Sequence, residues 1–311
     1  MTPRLIAGPL QGYTEAPWRR AHAEIFGGVD EYYLPFARID HGAVRPKDVR
    51  ELTSPFNEGL TVVPQVIARD ADELALLADT IAAQGFTRVD LNMGCPFVPQ
   101  MKKGRGAALL DNPARLQEMA AVMAARPSIA FSAKMRLGTT DPYGWRAVLP
   151  QLNAMPLTEV TIHPRTATQK YDGELHEQAF SELKSALDHP VVYNGGVNSA
   201  ADVERILTSH PDLAGVMTGR GLLARPSLLA DFRSGTPMSP EELLERTLRL
   251  HDDIFNHYRD TLCGDAQILM KIKPFWDYLE PLIGHRPFKA IGKAGSLAKY
   301  QRAVADISFN P

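Results

Sequence analysis

Cysteine is almost absent from this chain. Its 311 residues hold two, Cys95 and Cys263, which lie far apart and match no disulfide or zinc spacing. That scarcity excludes a disulfide-stapled secreted scaffold and fits a reducing, cytoplasmic compartment. Long apolar runs are also missing. No segment approaches the ~20 residues that a spanning helix needs, and the opening MTPRLIAGPL is too short and too weakly apolar for a signal peptide. Excess charge of either sign is missing too. The 34 Lys and Arg against 36 Asp and Glu leave a formal charge of −2, so any nucleic-acid surface has to be a local patch. No strict internal repeat is visible. At 44% hydrophobic and 23% charged, the composition is that of a soluble globular chain, long enough for one large domain and a small one.

Eight β-branched runs are present: RLIAGPL, EYYLPFARI, LTVVPQVIA, RVDLNM, IAFSAKMRL, EVTIHPR, PVVYNGG and AGVMTGRG. Helix-period segments separate most of them, among them 71–84, 113–125, 178–187 and 200–209; the apolar stretch 74–83 carries Asp79 and reads as an amphipathic helix. Strands alternating with helices imply a parallel sheet, and eight units in about 235 residues fit a closed (β/α)8 barrel better than an open doubly wound sheet. A break follows at RSGTPMSPEELLERTLRL, where Gly235, Pro237 and Pro240 interrupt the pattern and Ser239 with Glu242 reads as a capping box. The spacing predicts helices over 240–258 and 266–282, with one or two more between 286 and 306. The expected domains are therefore a barrel over 1–237 and a helical domain over 238–311.

In such a barrel the active-site residues project from the C-terminal ends of the strands. Gln65 ends the third strand and Asn92 the fourth, with Cys95 in the loop beyond it. Lys134 and Arg136 end the fifth, His163 and Arg165 the sixth, Asn194 the seventh before Gly195 and Gly196, and Gly219-Arg220-Gly221 the eighth. The last two motifs leave backbone N–H groups open before helix N-termini, the arrangement that holds phosphate after strands seven and eight. GRGLLA also matches the dinucleotide fingerprint G-x-G-x-x-A, but it closes the eighth unit, whereas that fingerprint belongs in a first one. A phosphate site, a lysine, a histidine and two amides on one rim suggest a flavin mononucleotide (FMN) pocket, with the cation beside the electron-rich ring.

LNMGCPFVPQMKKGRGAALL, KMRLG, IHPRTATQKYDG, VVYNGG and GVMTGRGLL, in this order and spacing, make the chain resemble the tRNA-dihydrouridine synthases along essentially its whole length. The resemblance implies an FMN barrel with a helical C-terminal domain that uses NAD(P)H to reduce particular tRNA uridines to 5,6-dihydrouridine. It implies that Gln65, Lys134 and His163 contact the flavin ring, that Asn194, Gly195, Gly196, Gly219 and Arg220 hold its phosphate, and that Pro9 and Leu10 pack against it. Asn92 and Arg136 would face the uracil, with Arg165 also at the substrate, and Cys95 would be the general acid. Four positions depart from the usual pattern. Leu10 follows Gly8-Pro9 where the family commonly reads A-P-M, Pro164 replaces the glycine of H-G-R-T, Arg105 stands where a glycine is common, and Pro35 stands where some members carry a glutamate. The stretch KIKPFWDYL (271–279) loosely resembles the tail motif of the bacterial members acting at uridine 16.

Reducing the C5–C6 bond of uracil takes a hydride at C6, which flavin N5 can supply, and a proton at C5. A thiol with a pKa near 8.5 is protonated at neutral pH, whereas an ordinary carboxyl is not. The target base has to leave its stack, which calls for a positive surface beside the pocket. Lys102, Lys103 and Arg105 after Cys95 are candidates, as are Lys271 and Lys273 and the run Arg286, Lys289, Lys293, Lys299 and Arg302, opposed only by Asp306. A monomer without metal is the expectation. Two other readings are an FMN barrel acting on free pyrimidines, as in the dihydroorotate or dihydropyrimidine enzymes, and a non-catalytic RNA-binding barrel. The first leaves the basic tail unexplained, and the second leaves Cys95, Lys134 and His163 unexplained.

Overall fold

A computed structural model describes residues 2–308; Met1 and residues 309–311 of the expected domain spans lie outside it. The eight expected strands are present. They are Arg4–Ala7, Glu31–Tyr33, a third in two pieces (Val62–Val63 and Gln65–Val66), Arg88–Met93, Ala130–Arg136, Leu157–His163, Val191–Asn194 and Gly215–Thr218. All barrel pairings are parallel, and the first strand pairs with both the second and the eighth. The broken third strand closes the ring. Val62 and Val63 pair with Tyr32 and Tyr33 of the second strand, whereas Gln65 and Val66 pair with Asp90 and Leu91 of the fourth. Between the two pieces sits Pro64, which has no N–H for a ladder, and its carbonyl accepts from the Asp90 N–H at 2.9 Å. A short hairpin, Ile39–Asp40 with Ala43–Val44, lies outside the barrel sheet.

The barrel interior is filled in layers. Ile6, Tyr33, Val63, Val192 and Met217 form an apolar cluster of their own, separate from the larger core between sheet and helices. Toward the N-terminal end Arg4 and Arg88 pair with Glu31 at 3.0 and 2.9 Å, Arg4 also pairs with Glu159, and the Tyr33 hydroxyl donates to Glu159 at 2.9 Å. These groups plug that end, so the polar strand ends at the opposite rim are the ones facing an open space.

The outer helices include Ala71–Ala82, Pro113–Ala124, Glu177–Ala186 and Ala200–Ser209. Three begin as their sequences dictate. Asp70, Asn112 and Ser199 accept from the N–H groups of Glu73, Arg115 and Asp202 at 3.0, 3.2 and 3.2 Å, each satisfying a donor that a helix start leaves unpaired. Beyond Thr218 no strand occurs among the described residues.

Gly235, in the left-handed region at φ 68°, ends the last barrel helix, Leu228–Ser234, before the long helix Pro240–Thr261. Ser239 caps that helix by accepting from the Glu242 N–H at 3.2 Å. Glu242 does not return the bond of a full capping box and pairs instead with Arg246 at 2.6 Å. The helix expected over 266–282 is a correction. It ends at Ile272, passes through a 3-10 turn at Lys273–Trp276 and resumes only as Glu280–Ile283. Pro274 removes an N–H and crowds the preceding turn, although Phe275, Trp276 and Leu279 keep an apolar pattern running through the break. Helices His285–Lys293 and Leu297–Ala305 complete the tail. No described helix is long and apolar enough to cross a membrane.

The tail docks on the first barrel helix, Ala16–Ile25. Arg246 donates to the Ile25 carbonyl at 3.0 Å, and Glu15 accepts from the Lys271 ammonium at 2.6 Å and from the Tyr258 hydroxyl at 3.2 Å. The Tyr13 hydroxyl donates to Asp277 at 2.8 Å, and its ring meets Tyr278 edge-on at 5.6 Å.

Candidate active site

At the C-terminal rim the strand ends surround a cavity of about 890 Å³. Its wall includes Pro9, Leu10, Asn92, Cys95, Lys134, Arg136, His163, Arg165, Asn194, Gly195, Gly196, Gly219 and Arg220. Thirteen expected site residues from six strand ends and the loops that follow them thus share one space. Gln65, Lys102, Lys103, Lys271 and Lys273 do not line it.

Cys95 owes its position to Asn92. The Asn92 side-chain carbonyl accepts from the N–H groups of Gly94 at 3.1 Å and Cys95 at 2.8 Å, a local side-chain turn of the kind asparagine forms readily. Its amide nitrogen donates to Gln65 Oε1 at 2.8 Å. Gly106, at φ 63°, backs the cysteine closely. A Cβ there would stand 2.7 Å from the Cys95 carbonyl oxygen and 2.9 Å from its Cβ, and the Ala107 N–H donates to the same carbonyl at 3.2 Å. Burial pushes the thiol pKa up, against the Phe97 N–H and the charges of Arg136 and Lys134. Cys95 is therefore a thiol, not a thiolate, at neutral pH.

Lys134 lies in register between Asn92 and Thr161. Burial, reinforced by Arg136, brings its ammonium down to about 8, with Asp90 and Cys95 pulling the other way. His163 is held neutral: burial and the charges of Arg136, Lys134, Arg165 and Arg220 take its pKa well below the usual value. Arg165 lies 3.1 Å from His163 Nε2. A guanidinium only donates, so Nε2 is the acceptor and Nδ1 carries the proton. Gly195 makes room for this ring, since a Cβ there would stand 2.7 Å from His163 Cδ2.

Arg136 is 2% exposed. It donates to the carbonyls of Gly94 at 2.9 Å and Thr166 at 2.9 Å, tying the loops after strands four and six together, and burial lowers its pKa to about 10. Across the opening, the Tyr171 ring has the guanidinium groups of Arg220 at 4.3 Å and Arg136 at 5.4 Å.

The loops after strands seven and eight form a cradle. Gly196 has φ 64°. A Cβ on Gly221 would stand 2.0 Å from the Val197 carbonyl, so glycine is what lets the short helix Arg220–Ala224 press against the neighbouring loop. The first N–H groups of any helix lack an intrahelical partner, and these belong to residues on the cavity wall. This donor set, with the Lys134 ammonium and a neutral histidine below it, matches a flat ring carrying a phosphate.

Three expectations change. Gln65 is 1% exposed and stands behind the wall, its amide nitrogen donating to Asp90 Oδ2 at 2.7 Å and its oxygen accepting from Asn92. Arg105, expected to face RNA, is 4% exposed. It donates to Glu73 through Nε at 2.9 Å and through a terminal nitrogen at 2.5 Å, and to the Ile39 carbonyl at 2.9 Å. The positive charge that stands where the family commonly has glycine is thus an internal brace. Lys271 and Lys273 also have internal partners: Glu15 for the first and the Gly292 carbonyl at 3.0 Å for the second. Lys102 and Lys103 are exposed beside the site.

Sequence reasoning missed Arg38, Arg45, Phe97, Tyr171 and Tyr278, all on the wall. Phe97 is 60% exposed, an unusual state for a large aromatic two positions from a half-buried thiol. Tyr278 brings the helical tail to the opening.

A model of the dihydrouridine synthase family matches residues 5–293. A probable tRNA-dihydrouridine synthase from Rhodobacter capsulatus is 29% identical over 266 residues, covering 84% of this chain and 81% of that protein. A tRNA-dihydrouridine(16) synthase from Cupriavidus necator is 32% identical over 248 residues, covering 77% and 76%. Among solved structures, morphinone reductase superposes with a TM-score of 0.55 at 11% identity, covering 77% of this chain and 88% of that one, a likeness of barrel fold. With the family match spanning nearly the whole length, this chain belongs to the dihydrouridine synthase family.

Proposed function

We propose that this protein reduces specific uridines in tRNA to 5,6-dihydrouridine, with FMN as its bound cofactor and NAD(P)H as reductant. The observation that carries the reading is Cys95, a thiol kept protonated and locked in a turn on the same cavity as a lysine, a neutral histidine and a glycine cradle. The names of the relatives agree with it.

Asn194, Gly195, Gly196, Gly219 and Arg220 would hold the phosphate of FMN, with Pro9 and Leu10 against its ring, and the reduced cofactor would supply the hydride for C6 of the uracil. Lys134, charged below about pH 8, would stabilise negative charge on the ring, and His163 would offer Nδ1–H as a donor. Cys95 Sγ gives its proton to C5, and the charges of Arg136 and Lys134 steady the thiolate left behind. Arg136 also fixes the two loops that flank the uracil, while Asn92 acts by building the turn. Gln65 serves from behind the wall.

The RNA backbone meets the exposed Lys102 and Lys103, the rim cations Arg38, Arg45, Arg165 and Arg220, and the tail. There Arg286, Lys289, Lys293, Lys299 and Arg302 are all exposed, with no ion pair among the described residues. The barrel, 1–237, carries the chemistry, and the helical domain, 238–311, orients the tRNA. Uridine 16 is the favoured position, in keeping with the Cupriavidus relative and the 271–279 stretch. The setting is the cytoplasm, and the working unit is a monomer.

The test is direct. The purified protein is expected to be yellow, with absorbance near roughly 450 nm, and with NADPH to form dihydrouridine in tRNA lacking the modification. Turnover of free uracil or orotate in place of tRNA would favour the free-pyrimidine reading, and a colourless protein that binds tRNA without turnover would favour the non-catalytic one.

A further inference from the structure

Behind the cavity wall, two residues before Asn92 in the fourth strand, lies a buried carboxylate that the proposed chemistry does not use. Asp90 is completely buried at the centre of the barrel. Its Oδ1 accepts from the Ser132 hydroxyl at 2.7 Å and its Oδ2 from the Gln65 amide nitrogen at 2.7 Å. From there one chain of bonds leads upward. Gln65 Oε1 accepts from Asn92, and Asn92 Oδ1 accepts from the N–H groups of Gly94 and Cys95.

The direction of the bonds in that chain is set at both ends, by a carboxylate that accepts below and by the Gly94 and Cys95 N–H groups that donate above. An amide has a donating end and an accepting end, and packing alone distinguishes them poorly. An ionised carboxylate only accepts. Facing Asp90, Gln65 has to present its nitrogen, so its oxygen turns to Asn92. Asn92 must then present its own nitrogen to Gln65, which turns its oxygen toward the turn that holds the thiol. With Asn92 reversed, its amide nitrogen would face the Cys95 N–H, two donors with nothing between them; with Gln65 reversed, its nitrogen would face that of Asn92 until Asn92 reversed as well. A buried donor left unpaired is costly, so the turn would open.

We propose that Asp90 is a positioning residue, whose acceptor-only carboxylate sets the orientation of Gln65 and Asn92 and through them fixes the turn that presents Cys95. The inference rests on the reading of Cys95 as the proton donor for its consequence in catalysis; the alignment of the thiol itself is independent of that reading. Burial raises the Asp90 carboxyl to about 6, with Lys134 opposing and Glu159 adding to the rise. At neutral pH it is mostly ionised, and either oxygen then accepts.

The variants are Asp90→Leu, Gln65→Met and Asp90→Asn, made with Cys263→Ser so that Cys95 is the single thiol. Two readouts apply: the rate at which iodoacetamide alkylates Cys95, and the single-turnover rate at which tRNA reoxidises the reduced holoenzyme. Reduction by NADPH alone is the control. D90L and Q65M are expected to alkylate at least about fivefold faster and to slow the tRNA step at least about tenfold, with NADPH reduction within twofold of the parent. D90N can still offer Gln65 an acceptor oxygen and turn its nitrogen to Ser132, so it is expected to stay near the parent.

The proposal is overturned if D90L and Q65M both leave alkylation and the tRNA step within twofold. It is also overturned if D90N behaves like D90L, because charge and not acceptor direction would then matter. Should D90L not fold, Q65M carries the comparison alone. Failure of the parent to reduce tRNA would sink the proposed function, while the alkylation rates would still decide the positioning role.

Discussion

A thiol can hand over a proton at neutral pH only while it keeps one, and burial ensures that Cys95 does. Its alkylation by iodoacetamide is therefore expected to be slow at pH 7 and to keep rising with pH beyond the midpoint of an ordinary thiol. A midpoint near 7 would mean a thiolate and a different chemistry. Lys134 titrates lower. Its folded pKa of about 8 lies below the free value of 10.5, so it is charged at pH 7 and neutral at pH 9. If its charge holds the flavin, flavin affinity falls as pH rises from 7 to 9, while Lys134→Met binds more weakly at pH 7 and shows a flatter profile. Equal affinity of the parent at both pH values, read by fluorescence titration, would contradict the role. Most of these residues were legible because each follows an apolar run at a strand end. Asp90 was not. It sits inside a strand, and only the register of the two neighbouring strands brings it against Gln65 and Ser132.

Local elements carry their own tests. Gly106→Ala puts a methyl against the Cys95 carbonyl at a positive φ, a strain on the order of 1–3 kcal/mol. It should reduce tRNA turnover more than flavin binding. Arg105→Ala leaves Glu73 buried with only the exposed Arg69, through its guanidinium at 3.4 Å and its N–H at 3.0 Å, a loss of no more than about 3–5 kcal/mol, the range for a broken buried pair. A chemical denaturation midpoint unchanged from the parent would show that the pair contributes nothing. All eight strands could be read from the sequence, since strands covered on both faces become β-branched runs. The tail helix over 266–282 was misread because apolar spacing continued across Pro274, where backbone chemistry and not side-chain pattern decides. Phe97, Tyr171 and Arg45 stayed hidden for another reason. They reach the cavity from loops, which have no period to read.

For the whole molecule, the formal charge of −2 conceals its distribution. Cations gather on the rim and along the last two helices, so tRNA binding is expected to weaken steeply with salt. Replacing both Lys289 and Lys293 by Ala should lower the slope of log K on log salt by about one for each phosphate no longer neutralised. A slope identical to the parent's would remove that face from the RNA surface. The tail is also joined to the site, through Tyr13, Asp277 and Tyr278, so the element proposed to orient tRNA touches the opening through which the base enters.

The central claim is that Cys95 protonates a uracil that the same cavity holds against the flavin. It is tested most directly by single turnover of reduced holoenzyme with tRNA lacking dihydrouridine, comparing the parent with Cys95→Ala. The variant is expected to stay yellow and to be reduced by NADPH at the parental rate, yet to form dihydrouridine at least about a hundredfold more slowly, within the range for losing a general acid. Dihydrouridine formed by Cys95→Ala at the parental rate would contradict it.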